Sequence, residues 1–175
     1  MPETSDEQLV RSFRDGDEAA FATFLDRHSA RSHRLALIWL KDSTLAEDAV
    51  QEAFVRTYTG IHRFRFGASP STWLLRILRN VCREMNRRRA FVPLAEDELA
   101  ALMEDPHAAA EDAGRLAHLR QAMSELPERQ RQVVGLRVLE ELSIAETARI
   151  MGCREGTVKA HLNRATNNLK RRLGG

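Results

Sequence analysis

Between Ala46 and Tyr58 the side chains that avoid water recur at intervals of three and four: Ala46, Ala49, Val50, Ala53, Phe54, Thr57 and Tyr58. That interval matches the 3.6-residue turn of an α-helix and sets one apolar stripe against a core. Similar stripes fill most of the chain, and no run rich in Val, Ile and Thr alternates with period two. Glycine and proline, 9 and 5 of 175 residues, fall between the stripes rather than inside them. The expected fold class is all-α.

The punctuation divides the chain into lobes. Ser5 with Gln8 reads as a capping pair for a short helix that stops near Gly16, and Asp17 as the cap of a longer one carrying Phe21, Phe24, Leu25, His28, Leu35, Ile38 and Trp39. Thr44 with Glu47 reads as a capping box for a helix from Leu45 to about Thr59 that Gly60 can end. A loop from His62 to Pro70 leads to a helix from about Ser71 to Arg89. Residues 90 to 114 hold seven acids and no base, which reads as a linker with room for one helical turn at Leu99 to Met103. Helical spacing resumes at Arg115 with Leu116, Leu119 and Met123. Leu126-Pro127 makes a turn, and Val133, Val134, Leu136 and Val138 follow as core residues. Two small helical domains are expected, residues 1–89 and 115–175, joined by an acidic linker at 90–114. Their formal charges are +3 and +6, and the linker carries −7.

Several classes fall away. The longest uncharged apolar run, Leu35 to Leu40, is too short to span a bilayer, and the acidic N-terminus lacks the pattern of a secretory signal. A cytoplasmic protein without membrane insertion is expected. Cys82 and Cys153 form neither a disulfide framework nor a zinc pair. His28, His33, His62, His107, His118 and His161 show no metal-ligand spacing, and neither a phosphate loop nor a nucleophile motif is present. The chain is therefore not expected to be an enzyme or to carry a cofactor or metal. Gly174-Gly175 follow the final helix directly, so no appended regulatory domain is expected.

In the C-terminal lobe Ser143 and Glu146 form a capping box over Ile144 to Met151, Gly152 supplies a turn, and a new helix starts near Arg154. Val158, Leu162, Ala165 and Leu169 make its buried stripe. Arg154, Thr157, Lys159, Ala160, His161, Asn163 and Arg164 are left as candidate contacts to a DNA duplex. Small residues permit close approach to a groove wall, Asn suits adenine edges, and Arg suits guanine or phosphate. On spacing alone a plain helical hairpin with a solvated face fits equally well. The string from Leu126-Pro127-Glu128-Arg129-Gln130-Arg131 through Gly156-Thr157-Val158-Lys159 to Arg164-Ala165 resembles the fourth conserved region of bacterial RNA polymerase sigma factors, a helix-turn-helix. Val158 to Leu162 is also similar to the recognition helix of LuxR-type regulators. Ala160, His161 and Asn163 depart from common choices in the sigma family, which bears on the promoter sequence read rather than on reading itself.

In the N-terminal lobe the helix from Ser71 separates its faces most cleanly. Leu74, Ile77, Leu78, Val81 and Met85 share one side, and Thr72, Arg76, Arg79, Asn80, Arg83 and Arg87 the other. Nine basic residues and the single acid Glu84 lie between Arg56 and Arg89, with Tyr58, Phe64, Phe66 and Trp73 among them. Guanidinium groups neutralise a nucleic-acid backbone and rings stack on unpaired bases, so this mixture suits single strands. A solvated arginine face over core aromatics is the alternative for any one ring. Phe64, Arg65, Gly67, Ser69 and Ser71 in the preceding loop, with Trp73 beside them, could hold an extruded base.

The strings Ala46 to Phe54, Ser71 to Ile77, Arg79-Asn80 and Arg87-Arg88-Arg89 resemble the second conserved region of the extracytoplasmic-function (ECF) sigma factors. With the C-terminal match, the resemblance covers nearly the whole chain. It implies a transcription initiation factor, active in responses such as stress. The C-terminal lobe would recognise the minus-35 element, and the N-terminal lobe would open the minus-10 element. It further implies that Glu47, Asp48, Gln51, Glu52 and Val55 dock on the clamp of core RNA polymerase, that the polymerase flap meets the other lobe, and that an anti-sigma factor is a partner. A LuxR-like regulator acting outside the polymerase is the alternative, although the N-terminal half lacks a receiver or ligand-barrel pattern. The linker or the acidic face could also fold against a basic lobe and mask it.

Overall fold

A computed structural model describes residues 4–89, 118, 119 and 121–174. The segment around Leu99 to Met103 and the resumption at Arg115 lie outside them. Helix α1 (Asp6–Arg14) begins at the expected Ser5/Gln8 capping box. Asp17 caps α2 (Glu18–Leu40) by accepting from the backbone N–H groups of Ala19 and Ala20. Helix α3 (Ser43–Gly60) is capped by Asp42, whose carboxylate accepts from Leu45 N at 2.9 Å. The expected Thr44/Glu47 box does not form. An extended Asp one residue before the helix is the stronger acceptor for the free N–H groups, and it leaves Thr44 inside the first turn. A 3-10 turn (Ile61–Arg63) and a loop lead to α4 (Pro70–Arg89), with proline at the first helical position, where its missing N–H costs nothing.

In the C-terminal part residues 121–124 are helical, followed by α5 (Glu128–Val134), a π-helical turn (Gly135–Leu139), α6 (Ile144–Met151) and α7 (Glu155–Leu173). The Ser143/Glu146 capping box opens α6, and Gly152, at φ +61°, closes it in the left-handed conformation that glycine adopts without a steric penalty. The π turn departs from the expected spacing. It leaves Leu136 fully buried but turns Val138 outward, 58% exposed.

Two cores result. The smaller is rich in aromatic rings: Phe13 packs on Phe21 with ring centroids 4.8 Å apart, and Phe24, Ile61, Phe64 and Leu74 are among its other buried members. Asp6 ties α1 to α2 through Arg27 at 2.8 Å and the buried His28 at 2.7 Å. The larger core does not respect the division into lobes. It runs from Leu35, Trp39, Leu75, Leu78 and Cys82 on α2 and α4 directly into Val133, Leu136, Ile150 and Met151 of the C-terminal lobe.

Gly135 sits at the seam. A β-carbon there would meet Leu35 Cδ2 at 3.3 Å and Trp39 Nε1 at 3.4 Å, so the close approach depends on its absence. Polar contacts frame the apolar seam. Glu140, almost buried, pairs with Arg31 at 2.9 Å and Arg34 at 3.1 Å. Lys41 Nζ donates to the Ser124 carbonyl at 2.8 Å, and Arg131 reaches the Trp39 carbonyl. The surface that closes the described parts of the lobes on each other is thus mainly hydrophobic, and the acidic face of α3, one of the two segments that could mask a basic lobe, is exposed instead.

A large side chain at Gly135 is expected to wedge the lobes apart without unfolding either. The variant Gly135→Leu should show a larger radius of gyration in solution scattering at unchanged helical circular dichroism. Raising salt should leave the wild-type radius almost unchanged, because apolar burial is not screened. A Gly135→Leu protein as compact as the wild type would contradict this account of the seam.

Candidate nucleic-acid interfaces

Helix α7 is held by Val158 and Ala165, both fully buried, with Leu162 and Leu169 beside them. This is the stripe expected from spacing. Arg154, Thr157, Lys159, Ala160, Asn163 and Arg164 are all exposed along the outer side, and His161 is half-buried at its edge. Burial, together with the charges of Arg129 and Arg164, lowers the His161 pKa below its ordinary value. Glu146 is held below the usual carboxylate range by its hydrogen bonds from the Ser143 hydroxyl and backbone, so the cap that orients α6 keeps its charge at neutral pH. The outcome is a helix, a glycine turn and a second helix with a continuous polar outer side that can meet a groove.

On α4, Arg76, Asn80, Arg83 and Arg87 are exposed. Arg79 is not: only 4% of it reaches solvent, and its Nε donates to Gln132 Oε1 of α5 at 3.2 Å. The expectation that all six polar positions of this face stand open is corrected here. Arg79 has the right helical angle, but the C-terminal lobe packs over that part of α4. Burial, and the nearby Arg129 and Arg83 charges, pull its pKa down from the ordinary guanidinium value. Thr72 is likewise buried, hydrogen-bonded to the Ser69 hydroxyl at 2.8 Å, while that hydroxyl also accepts from Thr72 N at 3.2 Å and caps α4. Ser71 contacts the same hydroxyl at 3.1 Å. Glu84, the one acid on the helix, is paired with Arg56 at 2.9 Å, and Arg56 also holds Glu52 at 2.7 Å. The acid is thereby neutralised within the protein.

The loop before α4 differs from expectation in one ring. Phe64 is buried and stacks on Trp73 with centroids 4.9 Å apart, so it supports the loop as a core residue instead of offering a face to a base. Trp73 itself is half-exposed. A recess of about 350 Å³ opens beside them, edged by Arg63, Arg65, Gly67, Trp73, Arg76 and Arg149. Arg149 comes from α6 of the other lobe, and no local motif in the sequence links it to this loop. Four guanidinium groups and no carboxylate around one half-exposed indole make the recess suited to an anionic, stackable ligand.

On α3, Glu47, Asp48, Gln51 and Val55 are exposed, and Val55 stands 59% open amid the acids. Glu52 is half-buried and engaged with Arg56. Tyr58, 47% exposed, continues the surface while packing its ring edge on Phe21. Among the described residues no group of three or more His, Cys, Asp or Glu is placed to hold a metal ion, and no described helix is long and apolar enough to cross a membrane.

Comparison with known proteins accounts for both lobes. Residues 24–92 match the family model of sigma-70 region 2, and residues 116–169 match that of sigma-70 region 4. The ECF RNA polymerase sigma factor SigM of Mycobacterium tuberculosis (strain ATCC 25618 / H37Rv) is 37% identical over 172 residues, covering 98% of this chain and 86% of SigM. SigW of Bacillus subtilis (strain 168) is 28% identical, with 94% of each chain covered. Among solved structures, the sigma factor RpoE in complex with the anti-sigma factor NepR from Bartonella quintana superposes with a TM-score of 0.75 at 25% identity, covering 88% of this chain and 96% of that one. CnrH, in complex with the cytosolic domain of CnrY, shares the fold with a TM-score of 0.74 at 24% identity and 97% coverage of both chains. With a region 2 lobe, a region 4 helix-turn-helix and a relative that matches 98% of its residues at 37% identity, this chain belongs to the ECF RNA polymerase sigma factors.

Proposed function

We propose that this sigma factor divides promoter recognition between two exposed surfaces, with α7 reading duplex DNA at the minus-35 element and α4 with its preceding loop holding opened DNA at the minus-10 element. The observation that carries this reading is their contrast in composition. The α7 surface mixes small, amide and cationic side chains suited to base edges. The α4 surface is arginine beside a recess with a half-exposed indole, suited to phosphates and an unstacked base. Glu47, Asp48, Gln51 and Val55 form the docking face for core polymerase in this scheme, and their charge would set orientation and encounter rate more than affinity. No chemical fuel is required, since binding energy offsets the cost of unstacking. A LuxR-like regulator is disfavoured because residues 24–92 match sigma region 2.

The closed arrangement adds a step. While Arg79 lies under α5 and Arg149 edges the recess, α4 cannot present its full surface to DNA. Engagement of the opened strand by the whole α4 surface therefore requires the lobes to part, and core polymerase is the natural agent because it offers separate docking sites for each. An anti-sigma partner, such as the NepR bound to RpoE, would act by holding the closed or otherwise occluded form.

Transcription reconstituted from core polymerase, this protein and genomic promoter fragments tests the scheme. Initiation at defined sites should require both proteins, with permanganate-reactive thymines near the start and protection farther upstream. Tight duplex binding by the isolated chain without polymerase-dependent initiation would overturn it. Within that assay, Arg76→Ala and Arg83→Ala should each impair opening and reduce the logarithmic salt slope by about 0.7, the share of one single-strand phosphate contact. Arg164→Ala should leave opening intact and weaken upstream recognition by about 1–3 kcal/mol if its guanidinium pairs with a base.

His161 supplies a pH test. Its neutral form is favoured in the free protein by burial and by Arg129 and Arg164. DNA phosphates favour the imidazolium, so binding raises the pKa and takes up a proton. Upstream-duplex affinity should accordingly rise as pH falls from 8 towards about 6, and His161→Gln should flatten that rise in a fluorescence-anisotropy titration.

A further inference from the structure

We infer that Arg14 of α1 is a positioning residue for the promoter-opening loop, fixing the shape of its recess from a helix outside the basic surface. This rests on the reading above that the loop holds an unpaired base. Arg14 Nε donates to the Ile61 carbonyl at 3.0 Å, and its Nη2 reaches the carbonyl oxygens of both Ile61 and Phe64. The planar guanidinium thus bridges the two ends of the 3-10 turn from which the loop departs, a fork that a lysine ammonium cannot reproduce.

The same guanidinium acts a second time on the next ring. The Cζ atoms of Arg14 and Arg11 lie 4.9 Å and 4.4 Å from the centroid of the Phe66 ring. Phe66 has φ +53°, a left-handed conformation disfavoured for a bulky side chain. Two cations over its ring, and contact with Phe64 at 4.9 Å, offset that cost. The outcome is visible in the recess. Arg63, Phe64, Arg65, Gly67 and Ala68 all line it, whereas Phe66 alone of this run does not. It is folded back towards α1. Released from the two arginines, the backbone at Phe66 would relax to negative φ, and the ring and its neighbours Arg65 and Gly67 would change places relative to the recess. Arg14 therefore governs which loop atoms a base would meet.

The test uses holoenzyme assembled from core polymerase and the full chain, selecting from forked DNA whose single-stranded minus-10 segment is randomised. The readout is the ratio of the preferred base to the others at each position. Wild type should enrich one base at one or more positions. Arg14→Lys, which keeps the charge and loses the fork, should lower that ratio by about tenfold, the scale of one well-formed base contact. Phe66→Leu, at a half-exposed position on the rim of the smaller core, should shift it in the same direction. Simple loss of folded protein lowers affinity for every strand alike and leaves the ratio untouched, so a structural role would not produce this result. An unaltered ratio in both variants overturns the positioning role alone. Absence of any preference in the wild type overturns the reading of the loop, and the proposal with it.

Discussion

The apolar seam between α2 and the turn that begins at Gly135 decides how the rest of this molecule is arranged. Leu35, Trp39, Leu136 and Ile150 are fully buried in one continuous core that neither lobe encloses by itself. Each of these side chains contributes roughly 1.5–3 kcal/mol on removal from water, enough together to hold the two lobes against each other. The surrounding charges add direction. Glu140 is nearly excluded from water, which is costly for a lone carboxylate and tolerable only because Arg31 and Arg34 flank it. Its pairing selects one orientation among the many that an oily contact alone would permit.

That seam explains why the basic surface of α4 is divided. The helix satisfies two partners around its circumference, its own lobe and the one that closes over it, so Arg79 is sheltered while Arg76 and Arg83, on either side in sequence, remain in water. Gln132 gives the sheltered guanidinium one acceptor. Among the described residues Arg79 makes no ion pair, and the Glu128 charge offsets its burial only in part, so the closed arrangement leaves this guanidinium poorly compensated. The buried Cys82 lies on the same helix, and burial raises its thiol pKa to about 12, so it is an inert packing residue here.

The parts of this architecture that are local were legible in the sequence. Ser5 with Gln8, Asp17, and Ser143 with Glu146 announce helix starts through side chains within three residues of the groups they satisfy, and Gly152 announces a helix end through its left-handed backbone. The outer side of α7 was legible because Val158 and Ala165 fix its rotation. What escaped depends on distance along the chain. Arg79 and Arg76 are indistinguishable by composition, and only α5, some fifty residues later, separates their fates. Phe64 reads as a stacking platform until Trp73 is seen to occupy its face. Arg14 and Arg149 carry no motif at all. Thr44 failed for a more local reason, since Asp42 is the better acceptor two residues earlier.

A shared core also ties together two binding events that never touch. Under the scheme proposed above, the melted strand meets the full surface of α4 only in the fraction of molecules whose seam is open, so its apparent affinity is scaled down by that fraction. A partner that binds only the open form removes this handicap for the strand. Core polymerase, docking on the parted lobes, and the melted strand would then bind with positive cooperativity, transmitted by no pathway of contacts but by the simple exclusion of the closed state.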